Sequence, residues 1–132
     1  MYSAVVLDEA SQLKLEKLAE DVKVNGVRVP IHVRDNGWKM YNHHMTICMG
    51  PLPDYLKQYI DTKQKLEATH IGVSDKAVAV RVIGFESKNK IPHVTMAVNI
   101  KAGGKPVHSN DIKDWKPLET IIKLTGEVKE LQ

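Results

Sequence analysis

Two short stretches carry residues that could do chemistry together: His44-Met45-Thr46 and His93-Val94-Thr95. Each sits in an apolar run, Tyr41 to Met49 and Pro92 to Val98. In an extended strand, residues two apart share a face. Each strand then presents an imidazole beside a hydroxyl, while Met45, Ile47, Val94 and Met96 turn into a core. A histidine has a reference pKa near 6.5, so two can hold opposite protonation states near neutrality. One would take a proton from an attacking oxygen and the other give one to the leaving oxygen. Paired hydroxyls would donate to an anionic centre between them.

With 6 His and 6 Thr in 132 residues, His-x-Thr is expected on the order of 0.3 times by chance. One copy reads best as a half-buried strand facing water. Two copies in strand-like runs read as a site. They lie 49 residues apart, so only the fold can bring them together.

The repeated motif resembles the 2H phosphoesterase superfamily, which is named for two such pairs. Thr69 to Val73, followed by Lys76 to Val82, looks like the strand pair between that family's motifs. Gly103-Gly104-Lys105-Pro106, followed by Ser109-Asn110, is similar to the segment after the second motif in the cyclic phosphodiesterase domains of tRNA ligases. The resemblance covers most of residues 40–128. It implies an α+β fold with two lobes, whose antiparallel sheets form a central cleft with helices outside. It also implies a metal-independent phosphodiesterase that opens RNA 2′,3′-cyclic phosphate ends and leaves a 2′-phosphate. His44 and His93 would be catalytic, Thr46 and Thr95 would bind phosphate, and Tyr41, Lys105 and Ser109 would be further substrate contacts. No cofactor is implied, and the partner is an RNA 3′ end or a small nucleotide. The same chemistry on cyclic oligonucleotides or 2′–5′ linkages stays open, as does a non-catalytic module that binds RNA ends or nucleotides.

Competing chemistries fit less well. Adjacent His43 and His44 invite a metal, but there is no His-x-x-x-His, no cysteine pair and no third carboxylate at motif spacing. Cys48, two residues past Thr46 in an apolar strand, reads as buried and inert. His43 points away from His44 if the strand is regular. The glycines before Lys105 are not a nucleotide P-loop, since no Ser or Thr follows the lysine. Lys88 and Lys90 read as solvated loop residues.

Composition sets the frame. Hydrophobic residues make up 42% and charged residues 27%, ordinary for a globular chain, and 132 residues suit one domain, 1–132, expected to be a monomer. The net charge of +3 suits a small anion or one RNA end better than a long duplex. No apolar stretch approaches a membrane span, and the start reads as a strand, not a signal peptide. A single cysteine points to a reducing, cytoplasmic setting.

The elements that must position the motifs follow from periodicity and turn residues. Residues 2–8 read as a strand. Asp8 caps a helix over 9–22, with Leu15, Leu18, Ala19 and Val22 at helical spacing. Asn25-Gly26 marks a turn, 27–34 an edge strand interrupted by Pro30, and 35–37 another turn. Trp38 and Tyr41 lead into the first motif and could stack on a base at the cleft mouth, though packing suits Trp38 better. A short helix over 54–60 and strands over 65–73, 77–84 and 120–128 complete the pattern. Ser109-Asn110-Asp111 caps a turn, and Trp115 packs.

Overall fold

The computed structural model describes residues 1–24, 27–28 and 37–132. The Asn25-Gly26 turn, most of the strand expected over 27–34, and Asp35-Asn36 lie outside the described residues. The strands are β1 (Tyr2–Leu7), β2 (Lys23–Val24), β3 (Val27–Arg28), β4 (Trp38–Met40), β5 (His44–Met49), β6 (Lys63–Val73), β7 (Ala77–Ile83), β8 (His93–Asn99) and β9 (Trp115–Leu131). One α-helix, α1 (Glu9–Ala19), follows β1, and 3-10 helices cover Asp54–Tyr59, Ile100–Ala102 and Pro106–Asp111.

The bilobal, two-sheet α+β architecture is not what forms. Among the described residues the protein is mostly β, and its core is a closed six-stranded antiparallel barrel. The sheet runs β8-β5-β1-β9-β6-β7, and β7 pairs with β8 to close the ring. The physical reason lies in β8, which has a partner on both edges. One edge pairs with β7 from Ala77↔Val98 to Arg81↔His93. The other meets β5 at Met45↔Val94 and β4 from Trp38↔Asn99 to Met40↔Ala97. Strands expected to belong to separate lobes are therefore neighbours in one sheet.

The barrel interior is filled as the alternation predicts. Met45, Ile47, Val94 and Met96 are fully buried, with Val5, Leu66, Val78, Val80, Val82, Leu124 and Val128. The helix adds Leu15 and Ala19 to this core. It starts at Asp8, whose Oδ1 accepts the Ser11 N–H at 2.8 Å, and Ser11 Oγ accepts the Thr125 N–H at 2.8 Å, which ties the helix to β9. It ends at Ala19, three residues short of the expected end, and Val22 still reaches the core. A second cluster of Ala77, Ala79, Val98 and Ile112 lies on the outer face of β7 and β8, with Tyr41 and Trp115 packed against it. Trp115 thus packs, as its sequence position suggests, and Trp38 packs against the main core. β9 is longer than expected and pairs with both β1 and β6.

Gly84, just after β7, shows how closely the strands approach. Its φ is +125°, and a Cβ there would lie 2.3 Å from the Lys65 carbonyl oxygen. Gly103 has φ +75° but nothing within 4 Å. Gly84→Ala combines backbone strain with a clash against a main-chain atom and should cost about 1–3 kcal/mol or more. Gly103→Ala carries the conformational term alone, about 1 kcal/mol. Urea unfolding of the two variants should place the Gly84→Ala midpoint clearly lower; equal midpoints would show that β6 gives way there.

Candidate functional site

Alternation that sends Met45 and Val94 inward sends His44, Thr46, His93 and Thr95 outward. All four line one cavity of about 490 Å³ on the barrel's outer face, above β5 and β8. Cys48 continues the β5 row. Lys88 and Asn89 come from the loop before β8, and Pro106, Val107 and Asn110 from the last 3-10 helix. Tyr41, His43 and Met49 complete the lining. The two sequence motifs are therefore brought together, on neighbouring strands rather than across a cleft between lobes.

Backbone hydrogen bonds hold both walls. Ser87 Oγ donates to the Thr46 carbonyl at 2.7 Å and the Lys88 N–H to the Ile47 carbonyl at 2.7 Å. On the other side, Ser109 is buried and its Oγ lies 2.8 Å from Thr95 Oγ1. Ser109 is thus not a lining residue; it holds the Thr95 hydroxyl from behind. Tyr41 does line the cavity, with the Lys39 ammonium 5.1 Å from its ring centre. Lys105 does not line it; it is exposed, and its N–H donates to His108 Nδ1 at 2.9 Å. Lys88 is exposed, as expected of a loop lysine, and also borders the cavity; its Nζ lies 3.3 Å from the Tyr55 hydroxyl, which also bonds Glu86, and 4.0 Å from the Glu86 carboxylate.

His43 departs most from expectation. A regular strand would turn it away from His44, yet both line the cavity and their Nδ1 atoms lie 2.9 Å apart. The cause is a break in the register along β8. The Asn42 N–H donates to the Thr95 carbonyl at 3.0 Å, while Met45 pairs with Val94. Three steps on one strand thus face one step on the other, and His43 and His44 are the extra residues. Asn42 makes the turn with φ 55°, in the left-handed region that asparagine tolerates better than most residues. It is buried, and its Oδ1 has no hydrogen-bond partner among the described residues.

Electrostatics set the two imidazoles apart from ordinary surface histidines. Burial pushes the His44 pKa down to about 4, helped by charge on the His43 and His93 rings. Burial also lowers His93, against an opposing pull from the Ile91 carbonyl. That carbonyl lies 2.7 Å from His93 Nδ1. A carbonyl only accepts, so His93 carries its proton on Nδ1 and leaves the Nε2 lone pair free. Among the described residues no three His, Cys, Asp or Glu side chains converge as a metal set. No helix among them is long and apolar enough to cross a membrane.

Both shifts carry a stability consequence. The folded-state pKa values lie below 6.5, so between about pH 4 and 6.5 the unfolded chain binds more protons than the folded one. The contribution is present above 6.5 and is lost as pH falls through that window. The melting temperature should drop from pH 7 to pH 4, and less steeply in His44→Gln. Identical slopes for both proteins would remove His44 from the linkage.

The arrangement can accept a proton at His93 Nε2, present hydroxyls at Thr46 and Thr95, and place a half-buried imidazole opposite. No protein-family model matches this chain, and no curated protein matches it, so the cavity itself carries the functional reading.

Proposed function

We propose that the protein is a metal-independent phosphodiesterase of the 2H type that hydrolyses 2′,3′-cyclic phosphates at RNA ends or on small nucleotides. The observation that carries this reading is the convergence of His44, Thr46, His93 and Thr95 on one cavity. The cyclic phosphate sits over β5 and β8 with its non-bridging oxygens on the threonine hydroxyls. Either hydroxyl of the Ser109–Thr95 contact can donate; with phosphate bound, Ser109 takes the donor role, which leaves the Thr95 hydrogen for the phosphate. These bonds strengthen as negative charge builds on the pentavalent transition state. His93 Nε2 takes the proton of the attacking water. The His44 side returns a proton to the departing 3′ oxygen, and the phosphate stays on the 2′ oxygen. An anionic substrate favours positive charge on the proton-donor side, at His43 and His44, while His93 must stay neutral to act as the base.

The test is turnover of 2′,3′-cyclic AMP beside a cyclic dinucleotide. His44→Ala and His93→Ala should each cost about 100-fold to 10,000-fold, and the double variant little more, since the pair acts as a unit. Thr46→Val and Thr95→Val should cost on the order of 10-fold to 1000-fold. EDTA should leave the rate unchanged. Activity lost with EDTA and restored by zinc or manganese would replace the two-histidine mechanism with a metal one. Nucleotide binding without turnover would make the protein a binding module.

The pH dependence follows from the free-enzyme histidines, which govern kcat/KM. Both are lowered, so protonation of the group that must stay neutral sets in only below 6.5. The acid limb of the kcat/KM bell should therefore lie below pH 6.5, where an unperturbed histidine pair would place it near that value. An acid limb at or above 6.5 would contradict the burial of the pair.

A further inference from the structure

His43 and His44 are the extra residues of the β4–β5 break, and their contact has a defined geometry. Their ring centres are 5.1 Å apart and the planes stand at 84°. Two ring radii of about 1.2 Å added to the 2.9 Å nitrogen separation give roughly that spacing, so the two Nδ1 atoms point at each other as an N–H···N bond requires. One Nδ1 must carry the hydrogen and the other the lone pair.

The surroundings decide which. His43 is exposed and His44 is half-buried. Around His44 stand the Tyr2 ring from β1 at 5.1 Å and the His43 and His93 rings; Cys48 and Lys88 line the same cavity, and Glu86, 4.0 Å from the Lys88 ammonium, is paired with that lysine. Neither Tyr2 nor the other two histidines is an anion, so an imidazolium is better solvated on His43 than on His44. A protonated His43 has donors on both nitrogens and can only donate to His44 Nδ1.

We propose that His43 is the positioning residue of His44: its Nδ1–H donates to His44 Nδ1, holds the His44 ring as the tautomer protonated on Nε2, and supplies the proton that His44 passes on. The use of that proton rests on the phosphodiesterase reading; its location does not. In the reaction, the His44 Nε2–H bond breaks as an O–H bond forms on the departing 3′ oxygen. The His43 Nδ1–H bond breaks as His44 Nδ1–H forms. His43 ends neutral, His44 ends neutral with its hydrogen on Nδ1, and the electron pair of the broken P–O bond stays on the 3′ oxygen. Starting from His43 protonated on both nitrogens, His44 thus acts as a proton donor without carrying the charge itself beforehand, which its burial opposes.

The experiment has two independent readouts on the full chain. Long-range ¹H–¹⁵N NMR of ¹⁵N-histidine protein, assigned with His43→Gln, His44→Gln and His93→Gln, reads each tautomer between pH 5 and 8. The expected result is a pyrrole-type Nε2 and a pyridine-type Nδ1 on His44, and the reverse on His93. The His44 pattern should persist in His43→Asn, whose amide N–H takes the place of Nδ1–H. A pyrrole-type Nδ1 on His44 in the unmodified protein would overturn the proposal whether or not the protein turns over any phosphodiester. The second readout is kcat against pH with 2′,3′-cyclic AMP. His43→Asn keeps the tautomer but has no proton to supply, so its basic limb should move to lower pH, and kcat at pH 7.5 should fall by up to about 100-fold with KM little changed. A His43→Asn profile that superimposes on the parent would also overturn it. Absence of turnover in the parent protein would count against the phosphodiesterase reading alone and leave the NMR result to decide this one.

Discussion

The pairing of Met45 with Val94 is the contact on which the candidate site depends. It is the bridge between β5 and β8 that completes the barrel ring, and both partners are fully buried. Each is also the central residue of a His-x-Thr motif. Burying the central residues fixes the outward direction of the residues on either side. One core contact therefore joins two motifs 49 residues apart and aims both at the same patch of outer surface. A one-residue slip of either strand would put that strand's imidazole and hydroxyl into the apolar interior without partners, at a cost of several kcal/mol. Register is thus held by the interior even though the chemistry lies outside.

Outside the barrel, nothing about strand geometry alone would make a cavity. A sheet surface is shallow, and depth comes from the segments laid across it. The loop before β8 is held by the Ser87 and Lys88 bonds to β5, and the Pro106–Asp111 turn by the buried Ser109 at Thr95 and by the second apolar cluster beneath it. These walls desolvate the histidines, which is the main cause of their lowered pKa values. The small outer core of Ala77, Ala79, Val98 and Ile112 therefore has an indirect electrostatic effect. By seating the wall, it sets how much water reaches His93 and Thr95.

The motif residues were legible because period-two alternation is a local property, and apolar central residues declare which face is inside. The same rule failed at His43. Its failure turns on Asn42, whose left-handed backbone adds residues to one strand but not to its partner, and nothing in the types of His43 and His44 announces that. The helix start at Asp8 was legible from its cap, whereas the end moved because the chain leaves the helix at Ala19 while Val22 still reaches the core. The architecture was misread for a different reason. Two similar motifs suggested two similar lobes, but strand order is decided by which edges pair, and β8 pairs on both edges. Lys105 is expected at the site from the resemblance of its segment to the one after the second motif, yet the wall presents Pro106, Val107 and Asn110 to the cavity.

The electrostatics of the cavity suit the anionic ligand proposed for it better than the alternatives. Two imidazoles are held largely neutral by burial, and Lys88 lines the same space. A neutral ligand would leave those pKa values low and gain little from the lysine. A cation would oppose the lysine ammonium. An anion with several acceptor oxygens would favour a positive charge on the proton-donor side of the pair and accept from the threonine hydroxyls at once. The apolar part of the lining, with Tyr41, Met49 and Val107, would then have to face a less polar part of the same molecule. A phosphate ester on a nucleoside satisfies both demands, and a free phosphate satisfies only the first. The same desolvation that disfavours charge on the imidazoles strengthens each interaction with a bound anion, since less water remains to screen it.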